Sequence, residues 1–283
     1  MFDQQMALSN VVAAPDRRVR SRVPHRLTRR EGERIRLLGQ VMDKVRPEEV
    51  MLQLESWVDA GVKAVIANHN LHSLHLIRSL PRLAEFYARA DLVQIDSTPL
   101  IAFGRLVGRG TRRKHRSTYL DWREHFWSLA DRKGWRVMFI GGAEGVAEKA
   151  AGRLKARHGR VDLAVRSGYF DATPGSEDNR RLVAEVADFA PQVLLVGMGM
   201  PRQEIWIVDH LDALPDCVVL NVGAAFDYEA GVQKAAPRWM GKAGLEWLYR
   251  LAVDPKRLFH RYCVEPWHLI GPIMDDLRSA LRR

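Results

Sequence analysis

Short, wholly apolar runs alternate along this chain with longer stretches whose apolar residues recur every three to four positions. Residues 193–196, VLLV, show the first pattern most plainly and read as a strand buried on both faces. The same reading gives strands over residues 62–67, 92–95, 137–140, 161–165 and 218–222, with a short one over 35–41. Helical periodicity covers 46–60, 73–90, 99–107, 119–133, 146–157, 176–189 and 203–211, and Ser176 is placed to cap the sixth of these. Such alternation predicts an α/β fold, a Rossmann-like, mainly parallel sheet with flanking helices and right-handed crossovers. The chain divides into residues 1–33, a basic arm; 34–240, the α/β domain; and 241–283, a basic and aromatic helical appendage.

Three predicted strands run straight into glycine corners: Gly141-Gly142-Ala143-Glu144-Gly145, Gly197-Met198-Gly199-Met200-Pro201 and Gly223-Ala224-Ala225-Phe226-Asp227. Any one of them is explained by a turn. Three at C-terminal strand ends converge on one sheet edge, where open α/β sheets bind ligands. Free N–H groups and helix N-termini there suit phosphate. The candidate nucleotide-binding positions are therefore Gly141, Gly142, Gly145, Gly197, Gly199, Pro201, Glu204, Gly223, Phe226 and Asp227.

Asp96 directly follows a predicted strand, in Ile95-Asp96-Ser97-Thr98-Pro99. It can serve as a general base for an attacking hydroxyl, or as an N-cap for the helix after it. Asn68 and Asn70 close the preceding strand and can bind sugar hydroxyls or satisfy a turn; Thr98 lies beside them. Gln203 and Glu204 open the helix after the second glycine corner, where they can read a ligand or cap the helix. His69, His72 and His75 form a weak metal pattern, better read as an exposed helical face. No Asp-x-Asp pair follows a strand to hold a divalent ion on a diphosphate, which predicts chemistry without a metal.

The chain has 283 residues, 47% hydrophobic and 28% charged, with a formal net charge of +10. A surface of that sign attracts polyanions such as nucleic acid, nucleotide phosphates or anionic lipid. Seven arginines and no acid lie between Arg17 and Arg30. From Lys234 onward, basic residues mix with Trp239, Trp247, Tyr249, Phe259, Tyr262 and Trp267. That mixture suits a membrane surface, and equally a packed helical pair with a solvated basic face. Cys217 and Cys263 have neither disulfide nor metal spacing, and no apolar run reaches the ~18 residues of a spanning helix. With Asp3 ahead of the first apolar run and no cationic leader, a cytoplasmic protein is expected. No helix-turn-helix, zinc or ribonucleoprotein signature supports nucleic-acid binding. A nicotinamide-dinucleotide oxidoreductase needs an acid after the strand that follows Gly141, and Arg166 stands there.

GMGMPRQEIW at residues 197–206 is similar to the GxGxPxQExW motif of the WecG/TagA/CpsF family of bacterial glycosyltransferases, which act in wall teichoic acid, enterobacterial common antigen and exopolysaccharide synthesis. IGGAEGVAEKAAGRL at 140–154 and the long segment from Asn221 to Tyr262 resemble two further family motifs. The resemblance implies transfer of a sugar from a UDP-sugar to a polyprenyl-diphosphate-linked saccharide at the inner membrane face. It implies inversion, no metal cofactor, peripheral attachment to an anionic membrane and self-association. It places the catalytic aspartate on Asp96, the active-site arginine on Arg116, the motif glutamine on Gln203 and the lipid-diphosphate arginines on Arg250, Arg257 and Arg261. Three segments depart from the family pattern: Asp96-Ser97, Asn68-His69-Asn70 and Arg116-Ser117-Thr118-Tyr119. These all fall on the acceptor side. They leave the transferred sugar open between an N-acetylhexosamine and a neutral hexose, as in xanthan-type polymers.

Overall fold

The computed structural model describes residues 30–233, 236–237, 240 and 245–282, apart from the Arg257 side chain. The arginine-rich stretch over 17–29, Lys234 and Trp239 lie outside the described residues. Residues 35–41 do not form one strand. Leu38 and Gly39 both take positive φ (51° and 79°), which folds the segment into a tight hairpin of β1 (Arg34–Leu37) and β2 (Gln40–Asp43). The Asp43 carboxylate pairs with Arg34 at 2.9 Å and accepts the Val93 N–H at 2.9 Å, so the hairpin is fastened to the strand that contains Val93.

Six parallel strands make the main sheet: β3 (Ala64–His69), β4 (Leu92–Ile95), β5 (Arg136–Gly141), β6 (Asp162–Arg166), β7 (Val193–Gly197) and β8 (Val218–Asn221). Their order is β4-β3-β8-β7-β5-β6. β4 lies outward of β3 on one side and β6 outward of β5 on the other. All six carboxyl ends face the same edge.

Helices cover both faces: α1 (Pro47–Ala60), α2 (Leu71–Leu76), α3 (Pro81–Arg89), α4 (Thr98–Leu106), α5 (Tyr119–Lys133), α6 (Val146–Arg157), α7 (Glu177–Phe189), α8 (Arg202–His210) and α9 (Ala225–Glu229). The expected helix over 73–90 is two helices. Pro81 has no N–H for an i−4 bond and its ring obstructs the preceding turn, so it ends one helix and starts the next at the first position. Ser176 caps α7 as expected, accepting the Asn179 N–H at 3.2 Å.

One face of the sheet buries Phe126, Trp127, Phe139 and Phe226; the other buries Phe86, Leu194 and Trp206. Cys217 is a buried free thiol, and burial pushes its pKa up to about 12. The C-terminal segment runs through α10 (Glu246–Val253), α11 (Pro255–Phe259), a wide turn (His260–Val264), a 3₁₀ turn (Glu265–Leu269) and α12 (Ile270–Leu281). Its Leu269, Ile273 and Leu277 join Leu37, Leu100 and Ile101 in a third core. Asp276 accepts the Leu38 N–H at 2.6 Å. No helix among the described residues is long and apolar enough to cross a membrane.

Candidate active site

β5, β7 and β8 are neighbours, so their three glycine corners meet. A Cβ on Gly141 would stand 2.3 Å from the Gly197 carbonyl oxygen, and one on Gly197 would stand 2.4 Å from that of Gly223. Side chains are therefore excluded, and the corners pack flush. Gly142, Gly199 and Gly223 take positive φ (71°, 79° and 53°), which turns the chain out of the sheet. A cleft of about 460 Å³ opens above them. Gly142, Gly197, Gly199, Gly223 and Asp227 line it, together with Asn68, Asn70, Asp96 and Gln203.

Five sequence-derived nucleotide positions are not among the residues that line this cleft. Gly141 supports the corner from beneath, and Gly145 and Pro201 are the N-caps of α6 and α8. Phe226 is fully buried, with its ring stacked on Phe139 at 3.5 Å, and so belongs to the core. Glu204 is also fully buried and accepts from Gln203 Nε2 (2.6 Å) and Asn221 Nδ2 (2.7 Å). On the first turn of a helix, consecutive residues point about 100° apart, so Gln203 reaches the cleft while Glu204 turns inward.

Asp96 leaves β4 with its N–H donated to His69 O at 2.8 Å. The N-cap of α4 is Ser97, which removes the capping role from Asp96. Its carboxylate accepts no hydrogen bond from any described residue. Burial raises its pKa to about 6, against the opposing pull of the Arg116 and Arg250 guanidinium groups. Asn70 caps α2 by accepting the Ser73 N–H at 3.0 Å, while Asn68 donates to the Asn221 carbonyl at 2.9 Å.

A second cavity of about 220 Å³ lies between the β4 end and the C-terminal segment. Asp96, Thr98 and Arg116 line one side of it; Glu246, Trp247, Arg250, Arg261 and Tyr262 line the other. Asp96 is the only carboxylate among the described residues that lines both cavities. Arg116 extends the sheet edge by bridging to Ile95, and its guanidinium pairs with Glu246 at 2.6 Å. Arg250 bonds the Tyr228 hydroxyl at 2.8 Å and Glu246 at 3.0 Å. Arg261 makes no hydrogen bond or close salt bridge among the described residues; its guanidinium lies 5.9 Å over the Tyr262 ring centroid, and burial lowers its pKa. The Arg257 side chain lies outside the described residues.

The three histidines do not form the expected exposed face. His69 is fully buried, stacked on Tyr87 at 3.8 Å and held neutral by burial with a pKa of about 3. His72 pairs with Glu265, and His75 packs on His268 at 4.9 Å, so both grip the C-terminal segment. Tyr228, Glu246, Tyr262 and Asn221 are site residues that sequence reading missed. Only Asn221 carried a usable signal, a polar residue ending an apolar strand just before a glycine corner.

The model of the glycosyl transferase WecG/TagA/CpsF family matches residues 35–283. The chain is also similar to the N-acetylglucosaminyldiphosphoundecaprenol N-acetyl-beta-D-mannosaminyltransferase of Staphylococcus aureus (strain NCTC 8325 / PS 47), at 26% identity over 207 residues, covering 70% of this chain and 79% of the relative. The protein of the same description from strain MRSA252 gives the same identity and coverage. The matched region takes in the hairpin, the whole sheet and the C-terminal segment, and the chain belongs to the WecG/TagA/CpsF family of glycosyltransferases.

Proposed function

We propose that this glycosyltransferase moves a sugar from a UDP-sugar to a polyprenyl-diphosphate-linked saccharide, inverting the anomeric centre and using no metal. The observation that carries this reading is Asp96, a carboxylate without a hydrogen-bond partner where the larger, glycine-cornered cavity meets the smaller, arginine-lined one. The donor diphosphate lies over the glycine corners and the acceptor enters through the smaller cavity. Asp96 takes the proton of the acceptor hydroxyl, whose oxygen attacks the anomeric carbon from the face opposite UDP. The bond to UDP breaks, and its growing charge is met by corner N–H groups and helix N-termini. Arg250 and Arg261 hold the acceptor diphosphate. The relatives' printed name, with its diphosphoundecaprenol acceptor, supports that side of the reaction.

A lipid-linked acceptor requires the enzyme at a membrane surface. The C-terminal segment supports such docking at the inner face: Phe259 and Trp267, 58% and 70% exposed, belong to the same basic segment whose Trp247, Arg250 and Arg261 line the smaller cavity. The test is UDP release from a panel of UDP-sugars with a short-chain prenyl-diphosphate saccharide, with and without EDTA. Release that needs both substrates and survives EDTA is expected. No release across the panel overturns the donor assignment, and release abolished by EDTA overturns the metal-free one.

A further inference from the structure

In the cleft floor, three amides and the buried carboxylate beneath them form a continuous hydrogen-bonded chain. Asn68 Nδ2 donates to the Asn221 main-chain carbonyl at 2.9 Å and lies 3.3 Å from its side-chain oxygen. Asn221 Nδ2 and Gln203 Nε2 both donate to one atom, Glu204 Oε1, at 2.7 Å and 2.6 Å. Gln203 Oε1 in turn accepts the Gly223 N–H at 3.1 Å. Both ends are main-chain groups of fixed sense: a carbonyl can only accept and an N–H can only donate. The direction of every amide between them follows. Asn68 Oδ1 and the second N–H of both Gln203 and Asn221 have no partner among the described residues, and all three residues line the cleft.

We propose that Glu204, which does not itself touch the cleft, is a positioning residue. It fixes the Gln203 and Asn221 amides so that the floor presents one acceptor and two donors to the hydroxyls of the transferred sugar. The floor lies between the glycine corners and Asp96, where the sugar of a bound donor spans the distance to the attacking hydroxyl. A group placed to hydrogen-bond a hydroxyl discriminates against an epimer that moves it, because the buried partner is then left unpaired. Without an acceptor at Glu204 Oε1, two buried NH₂ groups lose their common partner and turn to whatever oxygen the ligand offers. The other carboxylate oxygen, Oε2, is buried with no partner. The chain therefore uses Glu204 through a single atom, and a glutamine amide oxygen can replace that atom.

This inference rests on the UDP-sugar reading. The experiment compares the full-length enzyme with Glu204→Leu and Glu204→Gln, using the UDP-hexose it turns over best, the C4 epimer of that donor, and UDP alone. In Glu204→Leu the epimer preference in kcat/KM is expected to fall ~10-fold or more. UDP affinity is expected to stay within about twofold, because Glu204 does not line the cleft. Glu204→Gln restores the preference. A folded Glu204→Leu with unaltered epimer preference overturns the proposal, as does one that loses UDP affinity in parallel with selectivity. Should Glu204→Leu fail to fold, or no UDP-sugar bind, wild-type protein labelled with ¹⁵N in Asn and Gln decides it. The side-chain amide signals of Gln203 and Asn221 are then expected to move together on titration near pH 7, the value to which burial raises Glu204, and to stay still in Glu204→Gln. Amides that move separately, or not at all, overturn it. Failure of every UDP-sugar to bind counts against the donor reading alone.

Discussion

Glu246, at the start of α10, stands 2.6 Å from Arg116, the residue that extends the sheet edge beside Asp96. Its other carboxylate oxygen lies 3.0 Å from Arg250. One acid in the C-terminal segment therefore engages the two cations that hold down the Asp96 pKa, and itself pushes that pKa up. Glu246→Gln removes the opposing charge and should lower the Asp96 pKa below about 6. The ascending limb of kcat/KM against pH then shifts to lower pH. A limb that stays in place or moves upward counts against this coupling.

Asp96→Asn separates chemistry from binding. A general base contributes ~10²–10⁴-fold, and turnover should fall by that much while UDP still binds. The folded pKa of about 6 lies above the usual aspartate value. The ionised carboxylate therefore costs stability above pH 6, and this cost vanishes below the unfolded pKa. At pH 8 the variant should melt no lower than wild type; a clear drop by calorimetry assigns Asp96 a structural role instead.

Two glycine substitutions should have opposite signs. Gly197→Ala drives a methyl group into the Gly223 carbonyl, an overlap costing ~1–3 kcal/mol, and should abolish UDP binding by spreading the corners. Gly152→Ala, inside α6 with nothing near its added methyl, should stabilise by ~0.5–1 kcal/mol and leave activity intact. Denaturant melts and UDP titrations check both.

Membrane docking is tested by the double substitution Phe259→Ala and Trp267→Ala. It should weaken sedimentation with anionic vesicles while leaving UDP affinity unchanged, and wild-type binding should fall with added salt. Vesicle binding that is unchanged in the variant moves the docking surface elsewhere.

Sequence pattern was a good guide wherever burial is two-sided. The strand at 193–196 is an unmixed apolar run and that at 92–95 is interrupted only by Gln94, and their structural bounds agree closely. It failed where a decisive conformation carries no apolar signal. Leu38 at positive φ made two strands of one, and Pro81 divided a helix whose periodicity runs on across it. Sequence also cannot separate a polar residue facing a cleft from one satisfied behind it, hence the misplacing of Glu204 and the histidines. Partners distant in the chain, such as Tyr228 and Arg250, depend wholly on tertiary contact.

Asp43 accepts the Val93 N–H, and the Ser117 N–H is donated to Ile95 O, so the outer margin of β4 is occupied by the protein's own groups. An incoming strand finds no open ladder beside Asp96. Any enlargement of this sheet by a second molecule must begin at β6, on the opposite flank, which keeps the acceptor entrance clear of edge-to-edge association.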